Sequence, residues 1–548
     1  MDDLGLIGLL PLLLVAGAAW AGSRWPAAQR VQGATWLASR WAPLVFGAIS
    51  GAALWWTWGS LRPVEIIHDE TAYLFQAQLL ATGRLVGVAR PIPEFFEQFQ
   101  LFSWPVAAAK YPPGFALALV PGIWLGLPGL MPVLLTGLSG GLLFAMARRV
   151  ATPAVALLAW AGWFVAPGSI PFRHLIMSET LTTTLWLAGW WCLWQWKDSG
   201  RRGWLLALAG LAAWCVVARP LTGLAYAIPA ASIVLIRSSR RGDWTGLAGA
   251  AGVALVVLAI LPVQNRLTTG DWRRSAWSEY ARQYAPTDAL GFGYDSTPPR
   301  RSLPPDFQMY AWYYGEFHRD FVPEHLPRYF RERAEQVLKD AWGRWIPAGA
   351  LLAGLGLAVG GAPVLFAAGT SLLLLLVHLV FSHPAEWSIY YQEVLPVLSL
   401  LAALGAGRAA TLIPWKGRSE CPDGIAPQAG PAVMILAAAV LLSAPLHLIE
   451  ARRNYDILSA YHRAFRQRLA TIEAPAIVFV RYSPRHRFHQ SLISNPPDLA
   501  SAPVWVVYDR GADNSRLTAL APGRTAYLYT EQDERLAPLA AADSLPPP

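Results

Sequence analysis

Asp69 and Glu70 stand next to each other in Ile66-Ile67-His68-Asp69-Glu70-Thr71-Ala72-Tyr73, just past an apolar run that ends near Ser60. A carboxylate at a membrane boundary is costly unless it is solvated or used, so the pair is a candidate for general acid–base chemistry. The competing reading is a helix start, where Asp69 caps a helix over Glu70–Thr82 and favours its positive end. On a helix start the two side chains diverge by about 100°. One is therefore expected to act as base while the other orients it or binds a metal. Converging carboxylates about 5 Å apart, as in a retaining hydrolase, are not expected from adjacent positions.

Further along lie other candidates. Lys110-Tyr111-Pro112-Pro113-Gly114 closes the same polar segment, and the prolines impose an extended turn with few donors. Lys110 there either snorkels or meets a phosphate. Phe172-Arg173-His174 with Glu179 forms a second cluster, in which a lone His at a boundary is more often structural than a ligand. Arg219-Pro220 tips a hairpin whose arms read as only about 15 residues each, so the tip is expected to be recessed and to need an anion, either a protein carboxylate or a phosphate. His68, His174 and Glu179 are possible ligands for a divalent metal, though their spacing specifies none.

The elements that must position these residues are membrane helices. The 548 residues are 54% hydrophobic and only 14% charged, with 27 Trp, against about 25% charged in soluble domains. Apolar runs of about 20 residues mean a polytopic α-helical membrane protein. The net charge of +9 lies largely in Arg pairs beside apolar runs, where it sets topology; no nucleic-acid motif is present. Of the three cysteines, Cys192 and Cys215 fall in apolar helices and Cys421 in a cytoplasmic loop, with no metal-ligand spacing.

Placing Arg/Lys-rich loops inside threads about twelve spans. An extra helix, Leu4–Ala21, is expected in residues 1–40. Residues 41–263 form the main membrane module, with a first outer loop at 61–113 and with Gly114–Leu127 too short and Pro-bounded to cross. Residues 264–344 form an outer segment, 345–449 further helices, and 450–548 a small outer α/β domain with strands Ala476–Val480, Val504–Tyr508 and Thr525–Tyr529. That domain shows no carboxylate–His–nucleophile set and is expected to shape acceptor access. No internal repeat of a transporter kind is visible.

In order, these features resemble the GT-C class of integral-membrane glycosyltransferases, especially the protein O-mannosyltransferase and aminoarabinose transferase branch. The resemblance rests on Asp69, Glu70, Tyr73, Lys110–Gly114, Arg173–Glu179, the Arg219-Pro220 tip and Trp387–Glu393, and covers about Trp41–Leu404. It implies a polyprenyl-phosphate-linked sugar donor, inversion at the anomeric carbon and Asp69 as the base that activates the acceptor hydroxyl. Lys110 and Arg219 become candidates for the donor phosphate. His68, Tyr73, Tyr111, Arg173, His174, Glu179, Tyr390, Tyr391 and Glu393 become candidates for the cavity. The chain departs from the class in its extra first helix and in Tyr390-Tyr391-Gln392-Glu393, where relatives often carry an Arg before the aromatic. The implied enzyme is a hexosyl or pentosyl transferase in a bacterial inner membrane, acting on a lipid, glycan or protein acceptor at the outer face. Rival readings are a flippase for lipid-linked sugars and a non-catalytic envelope scaffold.

Overall fold

The computed structural model describes residues 17, 35–168, 174–299, 301, 303–412 and 430–539. The expected helix Leu4–Ala21, Arg173 and Cys421 lie outside them. Among the described residues, seven helical runs are long and apolar enough to cross a membrane: Leu130–Val150, Pro220–Arg241, Trp244–Thr269, Pro323–Val359, Ala362–Val380, Val394–Leu412 and Gly430–Leu469. Gly114–Trp124, Pro153–Phe164 and Arg202–Ala218 are apolar but shorter. The chain is an integral membrane protein; the twelve spans read from the sequence are not reached by this criterion.

Close helix packing follows from small residues. Ala42–Trp58 lies against Leu130–Val150 with Gly47 facing Gly137, where a Cβ on Gly47 would stand 2.8 Å from the Gly137 carbonyl oxygen. In an apolar solvent this van der Waals approach is what holds helices together.

The Leu130–Val150 helix sets the two ends of the bundle. Its start is tied to the first loop by Gly129 N–H donating to the Leu61 carbonyl at 2.9 Å. At its far end, after 21 residues and about 31 Å of rise, Arg148 donates to the carbonyls of Leu37 and Ser39. Gly114–Trp124 is an 11-residue helix of about 16 Å. It ends where Gly126 turns the chain at φ 67°.

The last apolar helix, Gly430–Leu441, is followed by Ala444–Leu469. Helix therefore continues about 20 residues past the expected boundary at 450. Its buried residues Ala451, Tyr455, Ser459 and Phe465 recur near helical spacing, which gives this polar stretch a face to pack. The Tyr455 hydroxyl accepts from Val64 N–H at 2.7 Å.

Beyond it lies a four-stranded sheet. β3 (Ala476–Arg481) runs parallel to β4 (Val504–Tyr508) and β5 (Thr525–Thr530), and β6 (Arg535–Pro538) pairs antiparallel with β5, in the order β4-β3-β5-β6. β6, a four-residue edge strand ending in Pro, carries too weak a signal to read from sequence. A separate two-stranded pair, β1 (Leu101–Phe102) with β2 (Ala108–Ala109), lies in the first loop. Residues 476–480 are buried on both faces, as a central parallel strand requires. Ile477 and Phe479 pack with Phe95 and Phe96 of the first loop. Val478 and Val480 share a core with Phe99, Phe102, Tyr280 and Phe307. The first loop and the sheet thus share two cores at one end of the bundle. Arg90 extends the contact by donating to the carbonyls of Pro496 and Pro497.

Candidate active site

The helix that carries the acidic pair runs His68–Ala81. Its two carboxylates do different work. Glu70 is 1% exposed and accepts three backbone amides, from Ile66 at 2.7 Å, Ile67 at 3.1 Å and Ile176 at 2.8 Å. It caps the helix start and holds the 174–179 segment against it. The capping role considered for Asp69 is met by Glu70, whose carboxylate is engaged by these three amides. Burial pushes the Glu70 carboxyl up to about 7 against the opposing pull of the Ile176, Ile66 and Ile67 amides.

Asp69 keeps 20% of its side chain exposed. The Tyr111 hydroxyl donates to its Oδ1, and His68 Nε2 lies 3.2 Å from its Oδ2. Burial holds the His68 imidazole below its usual pKa, so the neutral ring donates Nε2–H to the carboxylate. Tyr111 is fixed in turn. Its ring stacks on Tyr73 at 4.6 Å, its carbonyl accepts from Gln76 and Gln264, and the Tyr73 hydroxyl donates to Ser178 at 3.1 Å.

The turn Lys110–Gly114 reaches the Arg219 hairpin through its glycine. A Cβ on Gly114 would stand 2.6 Å from Ala218 N, and Trp214 Nε1–H donates to the Gly114 carbonyl. Only glycine permits this approach. The hairpin arms are Arg202–Ala218 and Pro220–Arg241, 17 and 22 residues, longer than the sequence suggested. Arg219 is sheltered by packing at the tip and not by short arms.

Arg219 retains 12% side-chain exposure, with Nη1 3.8 Å from Glu179 Oε2 and 3.9 Å from Glu393 Oε1. It donates to the Ile389 carbonyl at 3.1 Å and lies over the Tyr390 ring at 5.3 Å. Thr182 donates to Glu393. Both Glu179 oxygens and Glu393 Oε2 are buried without a hydrogen-bond partner. Protein carboxylates are thus the anions beside Arg219, at ion-pair distances too long for hydrogen bonds.

Lys110 does not snorkel. It is 3% exposed, donates to Asp288 Oδ2 at 3.2 Å and lies 4.0 Å from the Trp277 ring centre and 5.1 Å from that of Tyr280. Tyr310 donates to the same Asp288 oxygen. Asp288, Trp277 and Tyr310 are residues the sequence did not disclose. Asp288 is a lone acid 178 positions from its partner, and no local pattern marks it.

Among the other candidates, the His174 carbonyl accepts from the Trp58 indole and its ring lies 6.2 Å from Tyr455. Tyr391 is 1% exposed and meets His383 Nε2 at 3.0 Å. It braces a loop that Arg333 holds through the carbonyls of His378, Phe381 and His383. Asp69, Tyr111 and Tyr73 form one connected set and Arg219, Glu179, Glu393 and Tyr390 a second; Tyr73 links the two by donating to Ser178, the residue before Glu179. Among the described residues His68, His174 and Glu179 are not gathered into a metal-ligand set.

Among solved structures, this fold is matched by ArnT from Cupriavidus metallidurans. The form bound to undecaprenyl phosphate aligns with a TM-score of 0.52 at 14% identity, over 93% of this chain and 96% of that one. The apo form aligns with a TM-score of 0.52 at 13% identity, over 91% and 94%. No protein-family model matches the sequence, and no curated protein does either.

Proposed function

We propose that the chain is an inverting glycosyltransferase that moves a sugar from a polyprenyl-phosphate-linked donor to a hydroxyl of a cell-envelope acceptor. The observation that carries this reading is the unequal use of the acidic pair. Glu70 is engaged by backbone amides, whereas Asp69 stays partly open, oriented by Tyr111 and His68, and is linked through Tyr73 and Ser178 to the segment whose Glu179 pairs with Arg219. An inverting displacement asks for this: one carboxylate to take the acceptor proton and cations to stabilise the leaving phosphate. The fold shared with ArnT, a protein solved with undecaprenyl phosphate bound, supports the donor class.

Asp69 takes the proton of the acceptor hydroxyl as its oxygen bonds to the anomeric carbon. The polyprenyl phosphate leaves with the electrons of the broken bond. Arg219 and Lys110 are the candidates for that phosphate. Lys110 donates to Asp288 and lies against the Trp277 ring, so its part would be that of a fixed positive charge. Tyr73, Glu179, Tyr390 and Glu393 form the walls. The sugar is a hexose or pentose, the acceptor a lipid, glycan or protein, and the site faces the periplasm of a bacterial inner membrane.

The test is Asp69→Asn, which keeps shape but cannot accept the proton. Transfer should fall by about 10²–10⁴-fold while binding of undecaprenyl phosphate is retained. Full transfer by this variant would remove the base and with it the proposed mechanism.

A further inference from the structure

His68 stands between Asp69 and the C-terminal region. Its ring is buried between Phe99, at 4.9 Å and 29°, and His489, at 5.2 Å and 5°. Nε2 faces Asp69, and Nδ1 is buried without a hydrogen-bond partner. The His68 ring is therefore held by stacking on Phe99 and on His489, by Asp69, and by the neighbouring main chain of Phe488 and His489.

His489 comes from the turn Phe488–Gln490, which the segment after β3 sends toward the first loop. Its ring lies 6.5 Å from both Tyr313 and Trp387. The turn is anchored to the sheet: Ser483 N–H donates to Glu531 at 2.7 Å, His486 Nδ1 meets the same carboxylate at 2.8 Å, and Leu492 N–H donates to Tyr482 at 2.7 Å. A rigid element thus presses a flat ring against the neighbour of Asp69.

We infer that His489 is a positioning residue for the proposed transfer, and that its ring, stacked on His68 at 5.2 Å, keeps His68 square to Asp69 while that carboxylate takes the acceptor proton. The inference rests on the glycosyltransferase reading and assigns the C-terminal region a part in the chemistry beyond acceptor access. The charged groups that face His68 are Asp69, which favours its protonation, and Lys110, which opposes it; burial outweighs both and lowers its pKa. His489 is lowered to about 4, first by burial and then by His68, against Asp69. Both rings are neutral at pH 7. A protonated His68 would stabilise the Asp69 carboxylate and make it a weaker base. The stacked ring excludes the water that would make that protonation easy.

The test uses the full-length protein in lipid nanodiscs. The donor is the polyprenyl-phosphate-sugar lipid fraction from cells lacking the gene, and the acceptor is envelope from the same cells. Undecaprenyl phosphate is the binding probe. His489→Ala should lower the turnover by about 10–100-fold, the scale of a sub-ångström to ångström misplacement, without changing undecaprenyl phosphate affinity. The acid limb of its pH–rate profile should move up toward pH 6.5, the ordinary imidazole range. His489→Phe, which restores a flat ring without a titrating nitrogen, should recover the rate and the profile.

Wild-type turnover and profile in His489→Ala would overturn the inference. So would a His489→Phe enzyme that binds the probe normally yet is as slow as His489→Ala. If His489→Ala fails to fold, the rate and profile of His489→Phe and of His489→Leu, which fills the space without a flat ring, decide: equal behaviour overturns the inference and a Phe-specific recovery supports it. An inactive Asp69→Asn beside a normal His489→Ala would sink this inference alone. A fully active Asp69→Asn would sink the glycosyltransferase reading itself.

Discussion

Lys110 and Asp288 form an ion pair at 3.2 Å in which each side chain keeps only 2% of its exposure. Taking two charges out of water is costly, and removing one partner leaves the other uncompensated, at about 3–5 kcal/mol. Asp288→Ala should therefore destabilise the protein by that order. Lys110→Met combined with Asp288→Ala should cost less than the sum, a coupling that a double-mutant cycle measures. If Lys110 also reaches the donor phosphate, Asp288→Asn should tighten undecaprenyl phosphate binding by removing a competing anion.

Arg219 has carboxylates at 3.8 and 3.9 Å, so replacing it by Lys separates two roles. A guanidinium that grips phosphate with two parallel N–H bonds loses that geometry in Lys. Donor affinity should then weaken by about 1–3 kcal/mol, measured by binding of undecaprenyl phosphate. Unchanged binding with a reduced yield of folded protein would assign Arg219 to its ion pairs with Glu179 and Glu393 alone.

Gly114 brings the Lys110–Tyr111 turn against the hairpin tip. Gly114→Ala places a methyl where Ala218 N stands 2.6 Å away, and backbone on both sides leaves little room to give. Loss of transfer by about 10²-fold is expected if the turn is displaced by about 1 Å. Ala218→Gly would not relieve it, because the clash is with main-chain atoms. Transfer rates of the single and double variants check both statements.

Glu531 secures the turn that carries His489. Burial alone would raise its pKa, yet hydrogen bonds from His486, Tyr461 and the Ser483 amide bring it down to about 2. A carboxylate with a depressed folded-state pKa contributes stability that is present above its unfolded value, near 4.5, and is lost as the pH falls toward 2. Hydrogen exchange in residues 482–492 should therefore rise as the pH is lowered through that window, after correction for intrinsic rates. Glu531→Gln should show faster exchange at neutral pH and little further change on acidification.

Much of the architecture was legible in the linear chain because its signals are local. Apolar runs bounded by Arg pairs mark membrane helices wherever they pack. Val504–Tyr508 shows itself by continuous apolar residues between turns, and Pro112-Pro113 announces the start of a helix. Asp69, as an acid at a membrane boundary, was a candidate for the same reason. The division of labour between Asp69 and Glu70 was not legible, because it depends on which carboxylate meets the amide of Ile176, 106 positions away from Glu70. Nor could sequence pair Lys110 with Asp288, or lay His489 on His68, since each contact joins distant segments that carry no pattern of their own. By itself, the sequence determined the membrane class, most helices and the stretch where a carboxylate is available. The tertiary structure decided which carboxylate is free and which cations are already partnered, because burial and hydrogen bonding between remote elements set what each polar group has left to offer.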